Sequence, residues 1–589
     1  MCGITGYWGL GPPSEIIIRR MTDQLISRGP DYGDVWTDEK CGLALGHRRL
    51  AVVDLSSSGY QPMSSVCGRY VLTYNGEIYN HQELRKDLSK AIGHISWRGH
   101  SDTETLLTAL QYWGLENSLL RVKGMFAFAL WDSKERVLYL ARDRMGEKPL
   151  YYGVLGKGSE KLFVFGSQLK ALSAHPGFDK TISREAVTDY LRYQHVPSPL
   201  SIYEGIFKLP PGYTLKINNP IDEKFDLKRW WSLKELVEGR QEAMIFDEIE
   251  ALDRLDGAVA NAVAMQLQAD VPVGAFLSGG IDSSLITAYM QRQSNRPIKT
   301  FTVGFEESVF DEAAYAKSVA QHLGTDHHEF LVTPTIARDV IPLLTTIYDE
   351  PFADSSQIPT YLVCKAAREQ VTVALSGDGG DELFGGYNRY VWAPYIWSRL
   401  SIVPYHLRKI IIYAILALPI NCWKRLGDIF NIKDLGRKAH KAADKFSDVR
   451  DIDQLYTSLV TEWKGSDSVV ANELQTFFLQ KGSVPNQFKL SSHIEHMMYL
   501  DATSYLPNDI LCKVDRAAMA SSLETRIPFL DYDVMKVAWQ IPISMKVHGR
   551  EGKWISRQLL ERYVPRDLID RPKAGFEIPI GQWLRGPLR

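Results

Sequence analysis

Leu277-Ser278-Gly279-Gly280-Ile281-Asp282-Ser283-Ser284-Leu285 is the stretch from which the rest of this chain is read. A short apolar run at 271–276 leads into it, and a helical pattern at 285–293 leads out. Strand, glycine turn and helix start together leave backbone N–H groups and serine hydroxyls facing one point, an arrangement that holds anions. Asp282 adds a carboxylate able to meet a cation, so the set suits the phosphates of a nucleotide with Mg²⁺. It is not the common phosphate loop, because no G-x-x-x-x-G-K-[ST] occurs in the chain.

Around this stretch, strands alternate with helices from about residue 240 onward, the pattern of a parallel α/β sheet. Three runs, 271–276, 300–303 and 371–375, are apolar on both faces and are expected as buried strands. Behind the second, Phe301-Thr302-Val303-Gly304-Phe305 frames a planar base, with Val303 offering main-chain hydrogen bonds. Behind the third comes Ser376-Gly377-Asp378-Gly379-Gly380-Asp381-Glu382, then Gly385-Gly386-Tyr387. Clustered carboxylates repel one another unless a cation or a proton joins them, so a metal is the expected tenant. Both loops follow strand ends, where open α/β sheets bind their ligands.

Bulk properties narrow the class. At 589 residues two or more domains are expected, and 45% hydrophobic with 23% charged residues is a globular composition. A net charge of −2 argues against a bulk binder of nucleic acid or anionic membrane. The six cysteines are scattered without a C-x-x-C, which suits a reducing compartment. No basic and apolar leader opens the sequence, so a cytoplasmic location is expected. The most apolar run, 410–420, is short of the ~20 residues that span a bilayer and is interrupted by Pro419. A buried helix is expected there, ahead of a membrane-surface or partner-binding one, and no stable membrane insertion.

The N-terminus opens Met1-Cys2-Gly3-Ile4. Removing Met1 leaves Cys2 with an α-amine that titrates near ~7.7–8 beside a thiol near ~8.5, so one residue supplies nucleophile and base. Ser27-Arg28-Gly29-Pro30-Asp31 and Gly46-His47-Arg48-Arg49-Leu50-Ala51-Val52-Val53 pair glycine turns with arginines, the usual partners of a carboxylate. Asn75-Gly76 is either a hairpin turn or an oxyanion hole made of a side-chain amide and a backbone N–H. Asp102 either caps a helix with Ser101 or holds a substrate ammonium.

Met-Cys-Gly-Ile, R-G-P-D, H-x-R-L, N-G-E-I-Y-N and S-D-T-E, in this order, resemble the N-terminal-nucleophile glutaminase domain of the class II glutamine amidotransferases. That resemblance implies an α+β sandwich of two antiparallel sheets flanked by helices (αββα) over residues 2–217. It implies that Cys2 attacks the glutamine amide while Asn75 and Gly76 stabilise the oxyanion. Arg49, Asp102 and Glu77, with the main chain of Leu50, Ala51, Val52 and Val53, are implied to grip glutamine. A linker is expected at 218–240.

S-G-G-x-D-S-S, S-G-D-G-G-D-E-x-F-G-G-Y, K-V-D-R and E-x-R-x-P-F-L-D resemble the synthetase domain of the asparagine synthetase family, here at 240–589. The implied chemistry is ATP-dependent: a carboxylate becomes an acyl-adenylate and ammonia from glutamine displaces AMP. Leu277, Ser278, Gly279, Gly280, Asp282, Ser283, Ser284, Val303, Ser376 and Gly377 are implied to contact ATP. Asp282 and Asp381 would hold Mg²⁺, and Lys573 would offset charge on the leaving pyrophosphate. Asp378 stands where the better-known members carry Glu, a shorter reach for a group tied to the adenylate. The expected acceptor is aspartate; a uronic acid of a bacterial surface polysaccharide is the alternative, because residues 348–359 contain no Arg or Lys. A homodimer is allowed for.

Overall fold

The computed structural model describes residues 1–222, 225–305, 312–420, 422–423, 434–464, 469–470, 490, 492–570 and 580–586. The first half holds β1 (Gly3–Gly9), β2 (Tyr32–Asp38), β3 (Leu43–Arg49), β4 (Met63–Ser64), β5 (Tyr70–Ile78) and β6 (Gly124–Asp132). It continues with β7 (Val137–Arg142), β8 (Tyr151–Leu155), β9 (Leu162–Gly166), β10 (Ile206–Lys208), β11 (Tyr213–Ile217) and β12 (Asp226–Arg229). They form two antiparallel six-stranded sheets, ordered β10-β8-β9-β1-β3-β2 and β12-β11-β7-β6-β5-β4.

Alternation of side chains along each strand gives every sheet two apolar faces here. Ile4, Trp8 and Leu45 of one sheet pack against Val71, Ala127 and Trp131 of the other. On the outer faces, Ile18 and Met21 of the helix Glu15–Asp23 cover the first sheet, and Leu106 and Leu110 of the helix Asp102–Arg121 cover the second. The layers therefore run helix, sheet, sheet, helix, the N-terminal-nucleophile sandwich the resemblance implied. The stretch 218–240 contains β12, an edge strand on β11, and a short helix, Leu233–Glu238.

The second half is built on a parallel sheet of β13 (Val273–Phe276), β14 (Lys299–Phe305), β15 (Asp326–Val332), β16 (Val373–Leu375) and β17 (Glu524–Arg526), ordered β15-β14-β13-β16-β17. The central strands fall on the three expected runs. Parallel pairing in the registers Phe276↔Phe301 and Ala275↔Leu375 puts the carboxyl ends of β13, β14 and β16 at one edge. The two halves share one apolar cluster, in which Met1, Leu50, Val52 and Tyr79 pack with Leu285 and Ile527.

One expectation is overturned. The apolar run 410–420 is not a buried helix: in the helix Tyr405–Ala417 only Arg408 and Ile412 are buried, and Ile410, Ile411 and Tyr413 face outward. Hydrophobicity alone does not say whether a neighbour exists to cover it. Among the described residues no single helix is long and apolar enough to cross a membrane.

Candidate active sites

The first site lies where β1, β5 and the helix Asp102–Arg121 converge. Cys2, just ahead of β1, is buried; its N–H donates to Asn75 Oδ1 at 3.0 Å and its thiol reaches Leu50 O at 3.9 Å. Burial pushes the thiol pKa up, opposed by the nearby amino terminus, a backbone hydrogen bond from Leu50 and the charge of Arg49. Asn75 and Gly76 sit in mid-strand opposite Ala127 and Phe126, so the hairpin reading of this pair is excluded. With Oδ1 occupied by Cys2, Asn75 keeps Nδ2 buried and without a hydrogen-bond partner among the described residues. A Cβ at Gly76 would lie 2.2 Å from Met125 O, so the strand crossing tolerates only glycine.

Ser101 caps its helix by accepting from Glu104 N, which leaves the Asp102 carboxylate to accept from Tyr74 Oη at 2.7 Å and Ile78 N at 3.0 Å. Arg49 donates to the carbonyls of Ser56 and Asp54. Burial, then the charge of Asp102, hold the Glu77 carboxyl well above its ordinary range. Cys2, Arg49, Leu50, Gly76, Glu77 and Asp102 line a cavity of about 30 Å³, with Val52 and Val53 on its wall; Ala51 and Asn75 lie outside the lining. That is room for about two waters. Met1 and Glu524 are also part of the wall, the Met1 ammonium 2.5 Å from Glu524 Oε2.

The second site is a cavity of about 760 Å³ at the carboxyl edge of the parallel sheet, within the range that holds small ligands. Leu277, Ser278, Gly280, Asp282, Ser283, Val303, Ser376 and Gly377 line it. Gly279 makes the turn instead, at φ +72°, and a Cβ there would meet the backbone of Tyr315 and Ala316 at 2.8 Å. Ser284 is buried beneath the loop. Ser278 Oγ and Ser283 Oγ stand 3.0 Å apart, knitting the turn to the first turn of the helix Ile281–Arg292. The two glycine loops touch: a Cβ at Gly377 would come within 2.8 Å of the Asp282 backbone, and one at Gly380 within 2.5 Å of its carboxylate.

Asp282 and Asp381, the two expected metal ligands, both meet the ammonium of Lys553, at 2.6 Å for Asp381. Burial works against that ammonium, and the two carboxylates outweigh it, holding its pKa above the ordinary value. Sequence reading missed Lys553, whose setting Gly552-Lys553-Trp554 matches no motif. Lys573 lies outside the described residues. Ser376 Oγ donates to Asp378 Oδ2 at 2.6 Å, and burial raises the Asp378 carboxyl. Burial, then Asp381, push Glu382 up to about 8, while Tyr387 Oη donates to it at 2.6 Å. Facing these loops, Lys513 Nζ donates to Asp354 Oδ2 at 2.6 Å and to Ser356 Oγ at 2.7 Å. Lys513 and Arg550 both line the cavity, so the stretch lacking its own cation receives one from the helix Leu511–Ala520.

β17 connects the two sites. Its Arg526 O accepts from Ser376 N at 2.9 Å, while the Arg526 side chain lies 2.7 Å from Glu524 and 3.4 Å from Glu77. Arg28 adds a two-pronged bond to Asp515, both contacts at 2.9 Å.

Residues 254–589 match the family model described as asparagine synthase, and residues 1–231 match that of a glutamine amidotransferase domain. The chain belongs to the asparagine synthase family. It is similar along its whole length to asparagine synthetase [glutamine-hydrolyzing] 1 of Bacillus subtilis, at 33% identity, covering 100% of this chain and 88% of the relative. It is 29% identical to asparagine synthetase [glutamine-hydrolyzing] 3 of the same organism, over 98% and 87% of the two chains. It is also 28% identical to the amidase chyE of Penicillium rubens, over 96% and 85%. This family member is an ATP-dependent, glutamine-hydrolysing carbon–nitrogen ligase, and the two cavities are its candidate sites for those two activities.

Proposed function

We propose that the enzyme makes asparagine from aspartate. The observation that supports this acceptor most directly is Lys513, a buried ammonium between the 348–359 stretch and the nucleotide loops, with Arg550 in the same cavity. An α-carboxylate needs such a cation, and none is encoded in the stretch itself. Residues 2–217 would serve as the glutaminase domain and 240–589 as the synthetase domain.

In the first domain, Cys2, freed of Met1, attacks the glutamine amide. The thiol proton passes to the neighbouring α-amine, the C–N bond breaks to release ammonia, and water hydrolyses the thioester to glutamate. Asn75 Nδ2, lacking another partner among the described residues, and Gly76 N–H stabilise the oxyanion; Arg49, Asp102 and Glu77 orient glutamine. Removal of Met1 also takes away part of the cavity wall and so enlarges the cavity.

In the second domain, aspartate's β-carboxylate displaces pyrophosphate from ATP, and ammonia then displaces AMP from the acyl-adenylate to leave the carboxamide. The serine-lined turns of 277–284 and Ser376–Gly377 hold the phosphates, and Val303 sits at the base. Asp282 and Asp381 fit Mg²⁺: two carboxylates converging on one cation, with substrate phosphates completing the shell, is its usual donor set. An ion held by Asp282 and Asp381 would screen charge on the polyphosphate. Lys553 and Asp381 fix the geometry of the loop, and Asp378 sits within reach of the forming adenylate.

ATP–pyrophosphate exchange tests the acceptor. Exchange with aspartate is expected, and exchange with a nucleotide-linked uronic acid but none with aspartate would replace this reading with amidation of a sugar acid.

A further inference from the structure

The helices Asn388–Leu400 and Tyr405–Ala417 meet at 105° and turn apolar side chains outward. In the second helix Ile410 is 65% and Tyr413 66% exposed, while Arg408 is buried; at the bend Ile402 is 78% exposed. Ile412 is the one apolar residue of this helix that is buried, so most of its apolar surface faces outward, unlike that of a helix packed on a protein. Trp392 and Tyr395 of the first helix, and Leu407, Ile411, Leu416 and Leu418 beyond them, extend the same exposed surface.

The charge of this segment is one-sided. From 386 to 427 the sequence has six basic residues and no Asp or Glu. Among the described ones Arg389 is paired with Asp501 and Arg408 is buried, so Arg399 and Lys409 carry the surface charge. Arg399 is exposed and stacks on Tyr395, and Lys409 lies beside Tyr405, with Asp448 from another element 3.8 Å away. Exposed aliphatic and aromatic side chains flanked by basic ones are the composition of a helix lying in a lipid interface. Each helix has 13 residues, about 20 Å, too short to span a bilayer but long enough to lie in its surface. A second copy of the chain is a poorer occupant, because pairing this face with itself sets basic residues against basic residues.

We propose that this bent helix pair docks on an anionic lipid surface, resting in the headgroup region without crossing the bilayer. Asn388, Val391 and Trp392 of the first helix also line the synthetase cavity, and Arg550 reaches over Trp392 and Tyr395. Docking would therefore bring the rim of that cavity to the lipid surface.

Flotation of the full chain with vesicles tests this. Recovery is expected with mixed phosphatidylglycerol–phosphatidylcholine vesicles, not with phosphatidylcholine alone, and should fall as salt is raised. Ile410→Glu combined with Tyr413→Glu removes two large apolar side chains from the interface and should lower vesicle affinity at least about tenfold. Neither residue lines either of the two candidate catalytic cavities, so ATP–pyrophosphate exchange should persist and report an intact fold. Equal binding to neutral vesicles overturns the proposal, as does no binding at all. So does a wild-type dimer that these substitutions dissociate, which would make a second copy the occupant.

Discussion

Asn75 shows how much a single side chain can reveal. Its Oδ1 is held by the backbone of Cys2 and its Nδ2 is left without a partner among the described residues. Such a buried donor is costly unless a ligand uses it. Asn75→Ala should lower kcat for glutamine hydrolysis about 10²–10³-fold and leave synthesis from added ammonia near wild type, with Cys2→Ala as the limiting case. Equal loss of both activities would make Asn75 a structural residue only. The carboxyl of Glu382 carries a prediction of another kind. Burial, and then Asp381, raise it to about 8 from an ordinary 4.5, so the folded protein keeps a proton that the unfolded chain releases across that window. Stability should thus fall as pH rises through it, by up to ~1.4 kcal/mol per unit, and Glu382→Gln should gain on wild type in thermal midpoint from about pH 6 to 8. A constant difference would show that the group does not titrate there. The sequence announced Asn75 through its motif; nothing announced Lys553, whose role depends on a fold that brings three distant segments together.

At the level of elements, the strands that could be read were those whose burial is apolar. The cores of β13, β14 and β16 carried that signal. β15, with Asp326, His327, His328 and Glu329, is half-exposed and did not. β17 is harder still: Glu-Thr-Arg is fully buried, its two charges paired with each other and with Met1 and Glu77 from the other half, which no local pattern contains. Conversely, 410–420 had the strongest apolar signal and lies outside. Arg526→Met would remove the guanidinium that Glu77 and Glu524 share and leave Glu524 only the Met1 ammonium, a loss of about 3–5 kcal/mol. Because the same residue's main chain anchors Ser376, glutamine hydrolysis and pyrophosphate exchange are expected to decline together, measured separately on the purified variant. A decline in only one would mean that β17 does not serve both sites.

For the whole molecule, the motifs told of two chemistries in sequence order, but not that one apolar cluster and a set of buried ion pairs would make the halves a single body. Met1 is where this matters in practice. Its amino group is fully buried against a carboxylate from the opposite end of the chain, with the Cys2 cavity immediately beside it. An affinity tag fused ahead of Met1 turns this buried ammonium into an amide and blocks the release of Met1 that frees the Cys2 α-amine. Tagged protein should lose glutamine-dependent synthesis before ammonia-dependent synthesis, and a protease that leaves even one foreign residue behind should not restore it. A preparation judged inactive with glutamine would then be reporting on its cloning vector and not on the enzyme.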